Sequence, residues 1–224
     1  MTARRFRVIV PRDAPQRVRR RAPKVDWVHQ LLIVLADTDP LVWRRIQVPA
    51  SYSFWDVHVA IQDAMGWLDC HLHEFRVVIN GERGQVERIG LPMQEFGDDR
   101  PLRPGWTVPI SAVLVRGLLP MLYLYDFGDD WQHLVMYEGP APVERGVTYP
   151  RCVSGARRCP PEDCGGPHGY AELLDAVGDS SHPRHDELRE WLGGDFDPES
   201  FDARAVRVDD PKKRFKKAID DRRR

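Results

Sequence analysis

The chain has 224 residues, 42% of them hydrophobic, with seven Trp and eight Phe; that is apolar bulk for one large folded domain and excludes a wholly disordered chain. The net charge of −1 conceals a segregation, because residues 1–25 carry a net +8, residues 211–224 a net +6 and residues 26–210 a net −15. The start is Arg-rich rather than signal-like and the apolar runs are far shorter than the ~20 residues that span a bilayer, so a cytoplasmic protein with no membrane partner is expected, its Cys serving as thiols or metal ligands rather than disulfides.

Residues 1–25 read as a basic arm without periodicity, and residues 211–224 as a basic tail, on either side of one domain at 26–210. Arg4, Arg5, Arg19, Arg20 and Arg21 in the arm, with Lys212, Lys213 and Lys216 in the tail, are candidates for contact with nucleic acid phosphates. The same charges could instead fold back on the acidic body.

Structure begins near Trp27. Residues 27–36 form an apolar, strand-like run, residues 37–40 a turn, and residues 41–48 a return strand whose apolar face is interrupted by Arg44. Ser53 then caps a helix, with Asp56 completing an acidic variant of the capping box. Phe54, Val57, Ile61, Ala64 and Met65 supply one apolar stripe, and Gly66 suits the left-handed position that ends the helix.

Residues 73–79 read as a strand closed by Asn80 and Gly81, residues 82–105 as a polar hairpin arm and loop, and Ser111 as the cap of a short helix through Leu114. Residues 121–126 and 131–137 read as strands joined by a tight turn. Residues 139–169 read as irregular, and 170–177 and 185–192 as short helices, with a further turn of helix at Asp197 and Pro198. This order lacks regular β-α-β alternation. It predicts an α+β fold: a mixed sheet with one long packed helix, β-grasp-like, and a C-terminal group of short helices.

Two constellations carry chemistry. Cys152, Cys159 and Cys164, with His168 just beyond, could hold zinc in a tetrahedral clasp across the irregular segment. The alternative is that the thiols are small buried hydrophobes. His71 and His73 alternate, which on a strand points both to one face, and Asp126, Asp129, Asp130 and His133 gather in and after a turn. If the segments are neighbours, these groups could bind a divalent cation or act as acid and base. Asp is also favoured in tight turns for conformational reasons alone, and Arg44 or Arg45 could pair with the turn carboxylates. P-loop, dinucleotide fingerprint and HExxH signatures are absent, so no nucleotide cofactor is expected.

Several stretches, in order, carry a resemblance: residues 40–45 (PLVWRR), Val57 and His58 with 65–67 (MGW), 71–75 (HLHEF), 125–131 (YDFGDDW) with His133, 159–166 (CPPEDCGG) with Gly169 and Tyr170, and 191–196 (WLGGDF) with Asp197 and Pro198. Together they resemble the plasmid pRiA-type ORF-three-like family, also met as a TnpR-labelled passenger of insertion elements. The resemblance covers about residues 27–205 and leaves both basic arms outside. It implies a compact α+β fold and an association with plasmid or mobile-element DNA, and no reaction. Three functions are therefore expected in turn: a non-enzymatic accessory protein whose partner is nucleic acid or a mobile-element protein, a metal-dependent enzyme of hydrolase type on the His/Asp cluster, and a protein-interaction module braced by zinc.

Overall fold

The computed structural model describes residues 27–79, 85–92, 101–114 and 120–221. The arm at 1–25 and the Asn80–Gly81 turn lie outside them. Strands β1 (Trp27–Leu35) and β2 (Trp43–Pro49) form a hairpin, followed by helix α1 (Phe54–Met65) and strands β3 (His73–Ile79), β4 (Gln85–Gly90) and β5 (Leu102–Pro104). Strands β6 (Met121–Tyr125), β7 (Trp131–Pro142) and β8 (Arg151–Ala156) come next, then helices α2 (Gly166–Gly178), α3 (His185–Leu192) and α4 (Pro211–Asp221). The fold is thus mixed α and β, with eight strands in one sheet in the order β5-β4-β3-β6-β7-β1-β2-β8. All neighbours run antiparallel except β4 and β5.

The core lies between one face of this sheet and α1. Leu31, Ile33 and Leu35 alternate on β1 and are fully buried, and Phe54, Val57, Ile61 and Ala64 of α1 meet them in one apolar cluster. The helix ends follow the sequence signals. Ser53 Oγ accepts from the Asp56 N–H while an Asp56 carboxylate oxygen accepts from the Ser53 N–H, and Gly66 closes the helix at φ +96°.

The expected helix at Ser111 is a single 3-10 turn, Ile110–Ala112, and residues 197–200 form a turn without a helix. Two further departures matter more for function. Residues 139–169 are more regular than expected. Strand β7 continues to Pro142, because beyond Val135 it pairs with β1 alone and its other edge can take the missing N–H groups of Pro140 and Pro142. Strand β8 extends the sheet beyond β2, and Gly155 is needed there, since a Cβ would lie 2.7 Å from Trp43 O and 2.9 Å from Arg44 Cδ. The other departure is the basic tail, of which residues 211–221 form α4. Phe215 packs edge-on to Trp55 of α1 with ring centroids 5.3 Å apart and against Trp106 at 5.0 Å. Arg214 reaches Asp63 of α1 and Asp209, both at 2.6 Å. Folding back on the acidic body is the alternative realised for this stretch.

Candidate functional site

One end of the sheet gathers three loops: residues 66–72 after α1, the β6–β7 turn at 126–130, and residues 157–165 after β8. The last of these is held down by Trp67, whose Nε1–H donates to Pro160 O at 2.9 Å. Within the junction, His71 Nε2 lies 3.1 Å from Asp163 Oδ1, 3.5 Å from Asp126 Oδ2 and 3.9 Å from Glu162 Oε2. That nitrogen is itself buried and closes a hydrogen bond with none of them. Donor atoms of His71, Asp126 and Asp163 lie within 4.8 Å of one another, as do those of Cys70, His71 and Glu162.

The surrounding groups orient these carboxylates. Glu162 Oε1 accepts from the Leu68 N–H at 2.8 Å and from the Tyr125 hydroxyl at 3.0 Å. Asp126 Oδ1 accepts from the Gly128 N–H at 2.9 Å. In both residues one oxygen is fixed by the fold and the other faces His71. This is the way outer-shell partners aim metal ligands. Burial, followed by the charge of Glu162, pushes the Tyr125 phenol far above its ordinary range, so it remains a donor. Asp126 and Asp163 have φ of +55° and +58°, a left-handed backbone that Asp tolerates better than most residues. Asp163 is largely exposed and leaves one side of the cluster open to solvent.

The other expected site residues go elsewhere. Asp129 Oδ2 accepts from the Gly165 N–H at 3.1 Å, tying the turn to the loop before α2, and Asp130 accepts from Gln132 at 2.8 Å. His71 sits in a bend ahead of β3, so strand alternation does not carry it to the face of His73. His73 is buried and stacks on His58 of α1, ring centroids 3.5 Å apart and planes 9° apart. His58 accepts from the Tyr123 hydroxyl at 2.8 Å and donates to Asp69 at 2.9 Å, so both its nitrogens are committed to a core network. His133 is wholly buried, its Nδ1–H donating to Tyr123 O at 3.2 Å, and desolvation pulls its pKa down to about 3. Arg45 pairs with Glu138, and Arg44 with backbone carbonyls, rather than with the turn carboxylates.

The cysteine corner does not gather. Among the described residues, Cys152, Cys159, Cys164 and His168 supply no group of three donors within ligand reach. Cys159 belongs to the main core with Cys152 and Cys164 packed on it, while His168 is exposed in the first turn of α2. Burial raises the Cys159 thiol well above its ordinary value and that of Cys164 to about 12, which keeps both protonated at neutral pH.

A model of the plasmid pRiA4b ORF-3-like protein family matches residues 27–205. The chain belongs to that family. It is 39% identical over 171 residues to the uncharacterized protein y4hQ of Sinorhizobium fredii (strain NBRC 101917 / NGR234), covering 76% of this chain and 84% of that relative. It is also similar to the crystal structure of MM3350, a protein of unknown function from Methanosarcina mazei Go1, at 42% identity and a TM-score of 0.74, covering 81% of this chain and 98% of that one. The family match includes the whole His71–Asp126–Glu162–Asp163 cluster and stops short of α4. No helix among the described residues is long and apolar enough to cross a membrane.

Proposed function

We propose that this pRiA4b ORF-3-like protein binds a divalent cation among His71, Asp126, Glu162 and Asp163, and that the site is that of a metal-dependent enzyme of hydrolase type. The observation that carries this reading is the division of labour in Asp126 and Glu162, one oxygen of each satisfied by the fold and the other facing the His71 nitrogen at 3.5 and 3.9 Å. The donors form two triads that share His71, one with Asp126 and Asp163 and one with Cys70 and Glu162, and a set containing an imidazole suits zinc, manganese or iron(II) more than calcium, which takes oxygen alone. A cation there would meet solvent on the side of Asp163 and Cys70, where a bound water would be activated as a nucleophile. Asp126→Asn tests the site without undoing its turn, since Asn also tolerates a left-handed backbone and keeps the oxygen that accepts from Gly128. Calorimetric titration of EDTA-stripped protein with Zn²⁺ or Mn²⁺ is expected to show one site, weakened about tenfold or more in Asp126→Asn and in His71→Gln. Folded wild-type protein that takes up neither ion would overturn the proposal.

A second reading has its own support: a non-enzymatic accessory protein of plasmid or mobile-element DNA. The family description names a plasmid reading frame, and residues 1–25 carry a net +8. This reading expects DNA affinity that falls steeply with salt, in proportion to the number of phosphates neutralised. Anisotropy titrations of labelled DNA with the full chain and with a chain lacking residues 1–25 should differ in salt slope. Equal slopes would remove the arm from any such role.

A further inference from the structure

The four cysteines are not equivalent. Cys159 is buried and Cys152 and Cys164 are packed on the core, whereas Cys70 is exposed. Cys70 stands directly before His71, in the loop between α1 and β3. Its Sγ and donor atoms of His71 and Glu162 all lie within 4.8 Å of one another. A thiol, an imidazole and a carboxylate thus meet at one point, and these are three donor types that zinc sites draw on.

Tyr125, at the end of β6, holds this set together. Its hydroxyl accepts from the Cys70 N–H at 3.1 Å and from the His71 N–H at 3.4 Å, and it donates to Glu162 Oε1 at 3.0 Å. Cys70 Sγ lies 3.9 Å from the same oxygen. One phenol oxygen therefore fixes two separate loops, while its ring stacks on Trp67 with centroids 4.9 Å apart. Two further features pin the chain on either side. Asp69 turns it in the left-handed region at φ +58°, and Leu72 O accepts from the Asp126 N–H at 2.9 Å. Cys70 is thus an exposed side chain on a fixed backbone, next to the buried His71 nitrogen that no hydrogen bond satisfies. A cation engaging that nitrogen has a thiol and a carboxylate already at hand.

We propose that Cys70 is a ligand of the cation at His71, and that its thiolate makes this a zinc site rather than a manganese site. The inference rests on the cation-site reading and deepens it by naming the ion. On binding, Sγ bonds to the ion and the thiol proton passes to solvent. Carboxylates and water suit manganese, whereas a thiolate is a soft ligand that selects zinc. Zinc also outbinds manganese at many sites of nitrogen and oxygen alone. The deciding quantity is therefore how far the preference falls when the thiol is removed.

The experiment uses the full chain, stripped with EDTA and kept reduced, and the variant Cys70→Ser. Cys70 is exposed, so the variant is expected to melt with the wild type, and thermal melts check it. Each protein is titrated with Co²⁺, Zn²⁺ and Mn²⁺. Wild type with Co²⁺ is expected to develop the near-ultraviolet absorption of thiolate-to-cobalt charge transfer, and Cys70→Ser to bind Co²⁺ without it. The ratio of Zn²⁺ to Mn²⁺ affinity should fall about tenfold or more in the variant, through loss of zinc affinity. In wild type, saturating Zn²⁺ should protect Cys70 from alkylation by iodoacetamide, read by peptide mass spectrometry, a measurement that needs no variant. Cobalt binding without the band, a band that survives in Cys70→Ser, an unchanged Zn²⁺ to Mn²⁺ ratio, or Cys70 alkylated equally fast with zinc overturns this inference and leaves a cation at His71 standing. Folded wild-type protein that takes up no ion overturns the cation-site reading and this inference with it, so the two failures are told apart.

Discussion

Arg44 of β2 ties α1 and β8 to its own strand. Its guanidinium is buried with only 1% of the residue exposed, yet it has no ion pair among the described residues. It donates instead to three backbone carbonyls, Ala64 O in the last turn of α1, Trp43 O of β2 and Ala156 O of β8, each at 2.8 Å, and stacks on the Phe201 ring at 3.7 Å. The Ala64 carbonyl is one of those a helix end leaves without an intrahelical partner. Burial lowers the pKa of Arg44, but an arginine starts so high that it stays charged. In the sequence, Arg44 reads as an interruption of an apolar face, because nothing local announces that carbonyls of α1 and β8 will join that of Trp43 around it. Replacement by Met fills the volume and strands those acceptors. Arg44→Met is expected to lower unfolding stability by about 3 kcal/mol, measured by urea denaturation with the slope unchanged. A loss under about 0.5 kcal/mol would show that the carbonyls find other donors.

At the scale of the element, α1 and α4 make opposite cases. The cap, the stripe and the terminal glycine of α1 are all local features, and they agree with the fold. In α4, five Lys or Arg in 11 residues hide a short apolar face of Phe215 and Ala218, whose meaning depends on Trp55 and Trp106 being beneath it. Strand β8 is similarly obscure, being a half-buried strand with no alternation and a partner over a hundred residues earlier. That obscurity extends to the site. His71 and Asp126 are readable as candidates, whereas Glu162 and Asp163 arrive on the loop that follows β8. With β8 unrecognised they look like ordinary acids ahead of a helix. The docking of α4 should yield to a single substitution. Phe215→Ala removes the ring between Trp55 and Trp106, and because Phe215 is only half-buried the expected cost is about 1–2 kcal/mol. The accompanying sign is a red shift of tryptophan emission as Trp55, now 3% exposed, meets water. Emission unchanged from wild type would mean that α4 stays docked through Arg214 and through Pro211 O, which accepts from Trp55 Nε1 at 2.9 Å.

The molecule as a whole stores acid sensitivity at its centre. His133 of β7 lies at the meeting of β6, β7 and the segment after α1, with Tyr123 at 5.1 Å between ring centroids and Trp67 edge-on at 5.2 Å. Its Nε2 has no partner, and a proton placed there would be a buried charge with nothing to balance it. The folded-state pKa is accordingly about 3 against an ordinary 6.5. The unfolded chain therefore takes up a proton as pH falls below 6.5, and the folded chain does not until about 3. Stability from this group is complete above pH 6.5 and is lost as pH falls through that window, with a slope approaching 1.4 kcal/mol per pH unit. His29, also lowered by burial, acts in the same sense. Asp63 acts against them, since burial raises its carboxyl and a protonated Asp63 favours the folded form at the acid end. Between pH 6 and 5, above the carboxylate range, the histidines decide the slope. Urea unfolding at pH 7, 6 and 5 should show stability falling with acid in wild type and falling less steeply in His133→Phe, which keeps a flat ring against Trp67 and cannot take a proton. Parallel pH profiles for the two proteins would assign the acid sensitivity to groups other than His133.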